Sequence, residues 1–189
     1  MPAIINAGVN ILMTMKHSGK IGNNNLIIRN ANPEELDEVK LLLKTSYLEY
    51  ENSFPPESWK SYLDNIVDIR SRLGISELIV AELNGLIVGA VTLYMDASQS
   101  IHEEWPKGWA GIRLLAVHPE YRDKGIGRAL MEECISRCRA QDIKTIGIHT
   151  AEIMSVAYKM YESMNFVRTP EYDFHPNSET VVMAYRLQL

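Results

Sequence analysis

Cysteine, basic charge and long apolar runs are all scarce in this 189-residue chain. Its only two cysteines, Cys134 and Cys138, are too few for a disulfide-stapled scaffold. They stand four apart in a helical pattern, sharing one face as small hydrophobes, as in a reducing compartment. A structural zinc site needs more ligands at metal spacing. His17, His102, His118, His149 and His175 form no such cluster, so no metal is expected. Nineteen basic residues against 24 acidic give a formal charge of −5. Nucleic-acid binding needs a clustered basic face, so no such partner is expected and any anion site must be local. The uncharged stretch Met1 to Met15 is too short to span a bilayer and has no basic residues ahead of an apolar run, so it does not read as a signal peptide. No membrane partner is expected, and the localisation that follows is cytoplasmic. Internal repeats and low-complexity segments are also lacking.

What is present is ordinary for a globular protein, with 46% hydrophobic and 23% charged residues. A chain of this length suits one domain that buries well over half of its unfolded surface. The first convincing strand begins at Leu26, so residues 1–25 read as an N-terminal extension and 26–189 as the domain. Met13 and Met15 are alternative starts, and the uncharged arm suits a possible homodimer.

Leu26 to Arg29 is a short apolar run. Asn32, Pro33 and Glu35 then supply an N-cap, a first-turn proline and an N3 acid, so a helix starts there. Leu36, Val39, Leu42, Leu43, Tyr47 and Tyr50 recur at helical spacing until Phe54-Pro55-Pro56 breaks the pattern. Trp59, Leu63, Ile66 and Ile69 mark a second helical face, read as core. Leu78 to Leu83 and Leu86 to Tyr94 flank Asn84-Gly85, a hairpin signal because both turn residues tolerate positive φ. After a loop holding His102, Glu103, Glu104, Trp105 and Pro106 come a strand at Trp109 to Val117, a helix at Arg128 to Arg139, and a strand at Thr145 to His149. A helix at Ser155 to Met164 and a final strand at Thr180 to Leu187, paired with Phe166 to Arg168, complete the order β-α-α-β-β-β-α-β-α-β-β.

Chemistry concentrates between Leu115 and Leu130. Gly125 and Gly127 remove two side chains where a helix begins, so backbone N–H groups can close on a phosphate at the positive end of the helix dipole. Arg122, Lys124 and Arg128 add cationic donors suited to more than one phosphate. A glycine-rich turn with solvated charges is the simpler alternative for a bare G-x-G. A Rossmann site would need a third glycine where Leu130 stands, and a P-loop would need Gly-Lys-Ser/Thr where Gly127-Arg128-Ala129 stands.

The segment Arg122-Asp-Lys-Gly125-Ile-Gly127 resembles the R/Q-x-x-G-x-G/A signature of the GNAT superfamily of N-acetyltransferases. Ala157-Tyr-Lys-Met-Tyr161-Glu-Ser-Met-Asn-Phe166 likewise resembles that family's A-x-x-L-Y-E-K-L-G-F helix. The resemblance runs from about Leu26 to Leu189. It implies an α/β (α+β) GNAT fold, a mixed, mostly antiparallel twisted sheet of six to seven strands flanked by about four helices. It further implies acetyl-CoA as co-substrate, with Asp123, Lys124, Gly125, Ile126, Gly127 and Arg128 holding the pyrophosphate through their backbone. Leu115, Ala116 and Val117 would pair with the pantetheine arm like an added strand.

The implied reaction transfers acetyl directly to a primary amine of a small molecule or peptide. An N–H of the fourth strand would meet the oxyanion and Tyr161 would protonate the leaving sulfur, with Tyr158 as runner-up acid. An asparagine frequent in relatives is replaced here by Met154, with Ser155 or Glu152 to compensate. A glutamate base found in protein-acetylating relatives corresponds to Gly111, so the base is left to Glu103, Glu104 or His102, whose alternative is a solvated surface. Trp105, Tyr172 and Phe174 are candidates for the acceptor pocket by loop position. Two other readings stay open: a catalytically weak acyl-CoA-binding sensor of the same fold, and an interaction protein whose glycine loop binds no nucleotide.

Overall fold

The structure, a computed structural model, describes residues 17–21, 24–100, 105–176 and 180–189. Eight strands form one sheet: β1 (His17–Ile21), β2 (Asn24–Asn30), β3 (Glu77–Leu83), β4 (Leu86–Tyr94), β5 (Ala110–Val117), β6 (Thr145–Ala151), β7 (Val167–Arg168) and β8 (Val182–Gln188). Four helices pack on it: α1 (Leu36–Tyr47), α2 (Pro56–Val67), α3 (Ile126–Ala140) and α4 (Ser155–Ser163). The strand order is β1-β2-β3-β4-β5-β6-β8-β7. Every pairing is antiparallel except β5 with β6. This is the mixed, mostly antiparallel sheet expected, with one addition. The segment read as an extension supplies β1, which pairs with β2 from His17 opposite Ile28 to Ile21 opposite Asn24.

Local chemistry accounts for the main boundaries. Asn32 and Glu35 form a capping box around Pro33 ahead of α1. Asn84 and Gly85 both hold positive φ in the β3–β4 turn, which matches the twist of the strands it joins. The α1 pattern ends earlier than its spacing suggested: residues Leu48–Ser53 tighten into a 3-10 turn before Pro55.

The sheet is covered on both faces, and the alternation of β3 sorts its side chains accordingly. Ile79, Ala81 and Leu83 join Ile126, Leu130, Met131 and Cys134 of α3 in one core. Leu78 and Val80 join Val39, Leu43, Trp59 and Ile66 of α1 and α2 in the other. Cys134 and Cys138 are free thiols buried on the α3 face. Burial pushes the Cys138 thiol up to about 12 and Cys134 well above the usual thiol range, as befits packing residues.

Candidate functional site

Among the described residues, β5 with β6 is the one parallel strand pair, and there the sheet comes apart. β5 and β6 pair only from Ala110 opposite Ile146 to Ile112 opposite Ile148. Beyond that point β6 stays with β8 as far as Ala151 opposite Val182, while β5 follows β4. The divergence begins at an irregularity: the β4–β5 register slips between Ala90 and Thr92, and Leu114 takes φ 54°. An extra residue bulged into one strand bends it and leaves a peptide outside the ladder. A leucine at positive φ is strained, the kind of conformation that clusters at working sites. Among the described residues, no strand pairs with the β6-facing edge of β5 past Ile112.

At the open end of this cleft β5 runs into the glycine loop. Asp123 (φ 60°) and Gly125 (φ 77°) are both left-handed, which turns the chain sharply into α3. The first helical hydrogen bond is Ala129 N–H to Gly125 C=O at 3.0 Å, so helix geometry leaves the N–H groups of Ile126, Gly127 and Arg128 without helical partners. A Cβ on Gly125 would meet nothing within 4 Å, so backbone conformation is what demands glycine there. At Gly127 a Cβ would sit 3.6 Å from Val117 and 3.7 Å from Met160, so the bare position lets the helix start lie against both β5 and α4.

The three cations of the loop have partners within the fold. Lys124 donates to Glu120 C=O at 3.0 Å and lies 4.8 Å over the Tyr121 ring, while Arg128 donates to Ser163 Oγ on α4. Arg122 points back across β5: it forks onto Glu49 (2.8 and 2.7 Å) and donates to Ser46 C=O and Val117 C=O. Their side chains are thus engaged within the fold, while the amides at the helix start have no helical acceptor. Leu115, Ala116 and Val117 form the last part of β5, and the C=O of Leu115 accepts from the Tyr47 hydroxyl at 3.4 Å.

Tyr161 is 4% exposed and packs with Phe166 in the α3-side core. Burial, and then the nearby Tyr50 and Tyr62 of the opposite face, push its phenol well above the usual range. Tyr47 is raised likewise, by burial first and then by Tyr62 and Tyr161. The Tyr161 hydroxyl therefore stays protonated across the physiological range. Tyr158, the runner-up, packs partly buried on the α3-side core.

An aromatic group gathers on the α1–α2 side, where the sequence reading treated Trp59 only as core and did not single out Tyr62. Tyr47 stands edge-on to Tyr50 and Tyr62 at 6.2 Å each, with Phe54 and Trp59 behind Tyr62. Their common signal was the mixture of hydroxyls into an otherwise apolar helical stripe.

Trp105 is 5% exposed. It stacks on His149 at 4.3 Å and on Trp109 at 5.7 Å, beside Tyr172, with its ring lying directly on Gly147. Phe174 meets His149 edge-on at 5.0 Å, and His149 Nε2 bonds to Tyr172 C=O at 2.8 Å. Trp105 accordingly anchors its loop on β5 and β6 as packing, with the outer aromatics more open to solvent. Glu103, Glu104 and His102 lie outside the described residues. Met154 is partly buried against the α1–α2 core, and Gly111 lies against Ala97. Among the described residues, no group of three or more His, Cys, Asp and Glu is placed to hold a metal, and no helix is long and apolar enough to cross a membrane.

The family described as acetyltransferase (GNAT) matches residues 40–166. An amino-acid acetyltransferase of Pseudomonas fluorescens (strain Pf0-1) is 36% identical over 76 residues, 40% of this chain but only 16% of that protein. The PaiA N-acetyltransferase of Thermoplasma acidophilum, solved in complex with coenzyme A, is similar in fold with a TM-score of 0.66 at 17% identity, covering 86% of this chain and 99% of the other. YncA of Salmonella typhimurium, solved with acetyl-CoA, gives 0.59 at 16% identity, covering 87% and 94%.

Proposed function

The chain belongs to the acetyltransferase (GNAT) family, and from that premise we propose that it is an N-acetyltransferase moving the acetyl group of acetyl-CoA directly to a primary amine of a small molecule or peptide. The observation that carries this reading is the cleft where β5 and β6 part, with the Gly125 helix entrance at its mouth. The residues present fit the cofactor: a left-handed glycine exposes consecutive amides to a diphosphate, and the free β5 edge at Leu115 to Val117 suits an amide-bearing pantetheine arm.

Acetyl-CoA supplies the activated acyl group as a thioester. The amine nitrogen attacks the thioester carbon, the C–S bond breaks, and the nitrogen's proton is lost while the sulfur gains one. A backbone N–H at the β5 bulge is suited to the transient oxyanion because a fixed dipole costs no reorganisation. Tyr161, kept neutral by burial, is suited to protonate the sulfur. An alkylamine with a reference pKa of about 10.4 is neutral in only about one molecule in thousands at pH 7, so the aromatic wall of buried Tyr47 and partly buried Tyr50 and Tyr62 would favour the uncharged nucleophile by desolvation.

The test is a thermal-shift and turnover pair on the full chain. Acetyl-CoA at about 100 times its Kd should add ~2.7 kcal/mol, which is roughly 5–11 °C in Tm for a protein of this size. An amine panel should then release free CoA. No shift would remove the cofactor reading. A shift without turnover on any amine would leave the weakly catalytic sensor instead.

A further inference from the structure

We propose that Glu49, held by Arg122, is a positioning residue that makes the acceptor-side helix α1 respond to occupation of the glycine loop. This rests on the acetyl-CoA reading of that loop. Arg122 is the last extended residue before the left-handed Asp123, so its backbone belongs to the loop. Its side chain does not. The guanidinium forks onto both Glu49 oxygens, donates to Ser46 C=O at 3.1 Å in the last turn of α1, and donates to Val117 C=O at 3.3 Å at the end of β5. Arg122 and Glu49 lie 73 residues apart in sequence.

Such a planar fork fixes direction as well as distance, which an ammonium would not. The pair is partly exposed, with side-chain exposures of 35% and 42%, so it contributes little to stability. Its consequence is geometric. The α1 turn that Arg122 grips carries Tyr47, whose hydroxyl reaches Leu115 C=O beside the bulge, and the chain continues to Tyr50, which raises the cost of ionising Tyr161. One short segment, Ser46 to Tyr50, thus touches the anion loop on one side and the reacting end of the cleft on the other. A loop drawn onto a diphosphate carries Arg122 with it, and Arg122 carries α1. By linkage, whatever the acceptor gains from bound cofactor, the cofactor gains from bound acceptor.

Hydrogen exchange followed by mass spectrometry on the full chain, with and without coenzyme A, tests this directly. In the wild-type protein coenzyme A should slow exchange in the loop at 122–128 and also in the segment 44–53, the latter by roughly fivefold or more, the lower end of ordinary coupling. In Glu49→Gln the loop should remain protected while protection of 44–53 is lost, with the Tm of the free protein unchanged. Adding Arg122→Lys to Glu49→Gln should remove no further protection from 44–53. Equal protection of 44–53 in wild type and Glu49→Gln would overturn the coupling, as would loop protection with no effect on 44–53 in the wild type. Coenzyme A protecting neither segment would instead overturn the cofactor reading, and the coupling with it.

Discussion

Arg29 donates to both carboxylate oxygens of Glu35 and to Glu82, and the Arg29 contact, reinforced by the Asn32 amide, draws the Glu35 carboxyl down to about 2. A depressed carboxyl contributes stability that is full above its unfolded pKa, near ~4.3, and is lost as pH falls toward the folded value. Glu35→Gln should therefore lower Tm at pH 7 by roughly 2–4 °C, and the gap to wild type should close between about pH 4.3 and pH 2. Differential scanning calorimetry across that range checks it, and a gap that widens on acidification would contradict it. At Tyr161 the shift runs upward for a different reason, burial, and the expected effect is kinetic. Tyr161→Phe keeps the ring and removes the proton, so kcat should fall by about a hundredfold with little change in the KM for acetyl-CoA. A fall of less than a few fold would take the acid role from this residue. Tyr161 is proposed as the acid through its motif, because spacing alone cannot distinguish a core phenol from one facing a cleft.

Elements show most plainly what pattern reading captures and what it misses. The β3–β4 hairpin followed from Asn84-Gly85, and the start of α1 from Asn32, Pro33 and Glu35, because these signals are local backbone chemistry. The bulge at Leu114 had no such signal: a leucine with positive φ is imposed by the sheet around it, and nothing in the neighbouring residues announces it. Trp105 was placed in an acceptor pocket by its loop, yet Gly147, forty-two positions later, gives it a seat. That partnership predicts its own test. A Cβ at position 147 would lie 2.7–2.8 Å from three Trp105 ring carbons, closer than real contacts allow. Gly147→Ala should destabilise by about 1–3 kcal/mol through overpacking, with a changed tryptophan emission that reports the displaced ring. An unchanged Tm and spectrum would mean that the indole does not rest there. Tyr47 and Tyr50 were legible as members of a helical stripe, but the gathering of Tyr47, Tyr50 and Tyr62 depends on two helices packing together, which periodicity does not encode.

At the scale of the whole molecule, the described strands make one parallel pair, and it is the place where the sheet opens. The order of elements along the chain, with α3 and α4 between strands, was legible because helix and strand segments alternate there. The extent of the opening was not, since it depends on β6 preferring β8 over the far half of β5. The remaining feature with a cost attached is the outermost strand. β1 caps the rim of the sheet by satisfying the outer amides and carbonyls of β2. Trimming the chain to begin at residue 24 would turn that rim into a sticky template, because Leu26 to Asn30 would present unmet hydrogen-bonding groups to any other extended chain. The shortened protein should scatter light and elute in larger species at concentrations where the full chain does not. If it stayed the same size, β1 would be an ornament of the rim and not its guard.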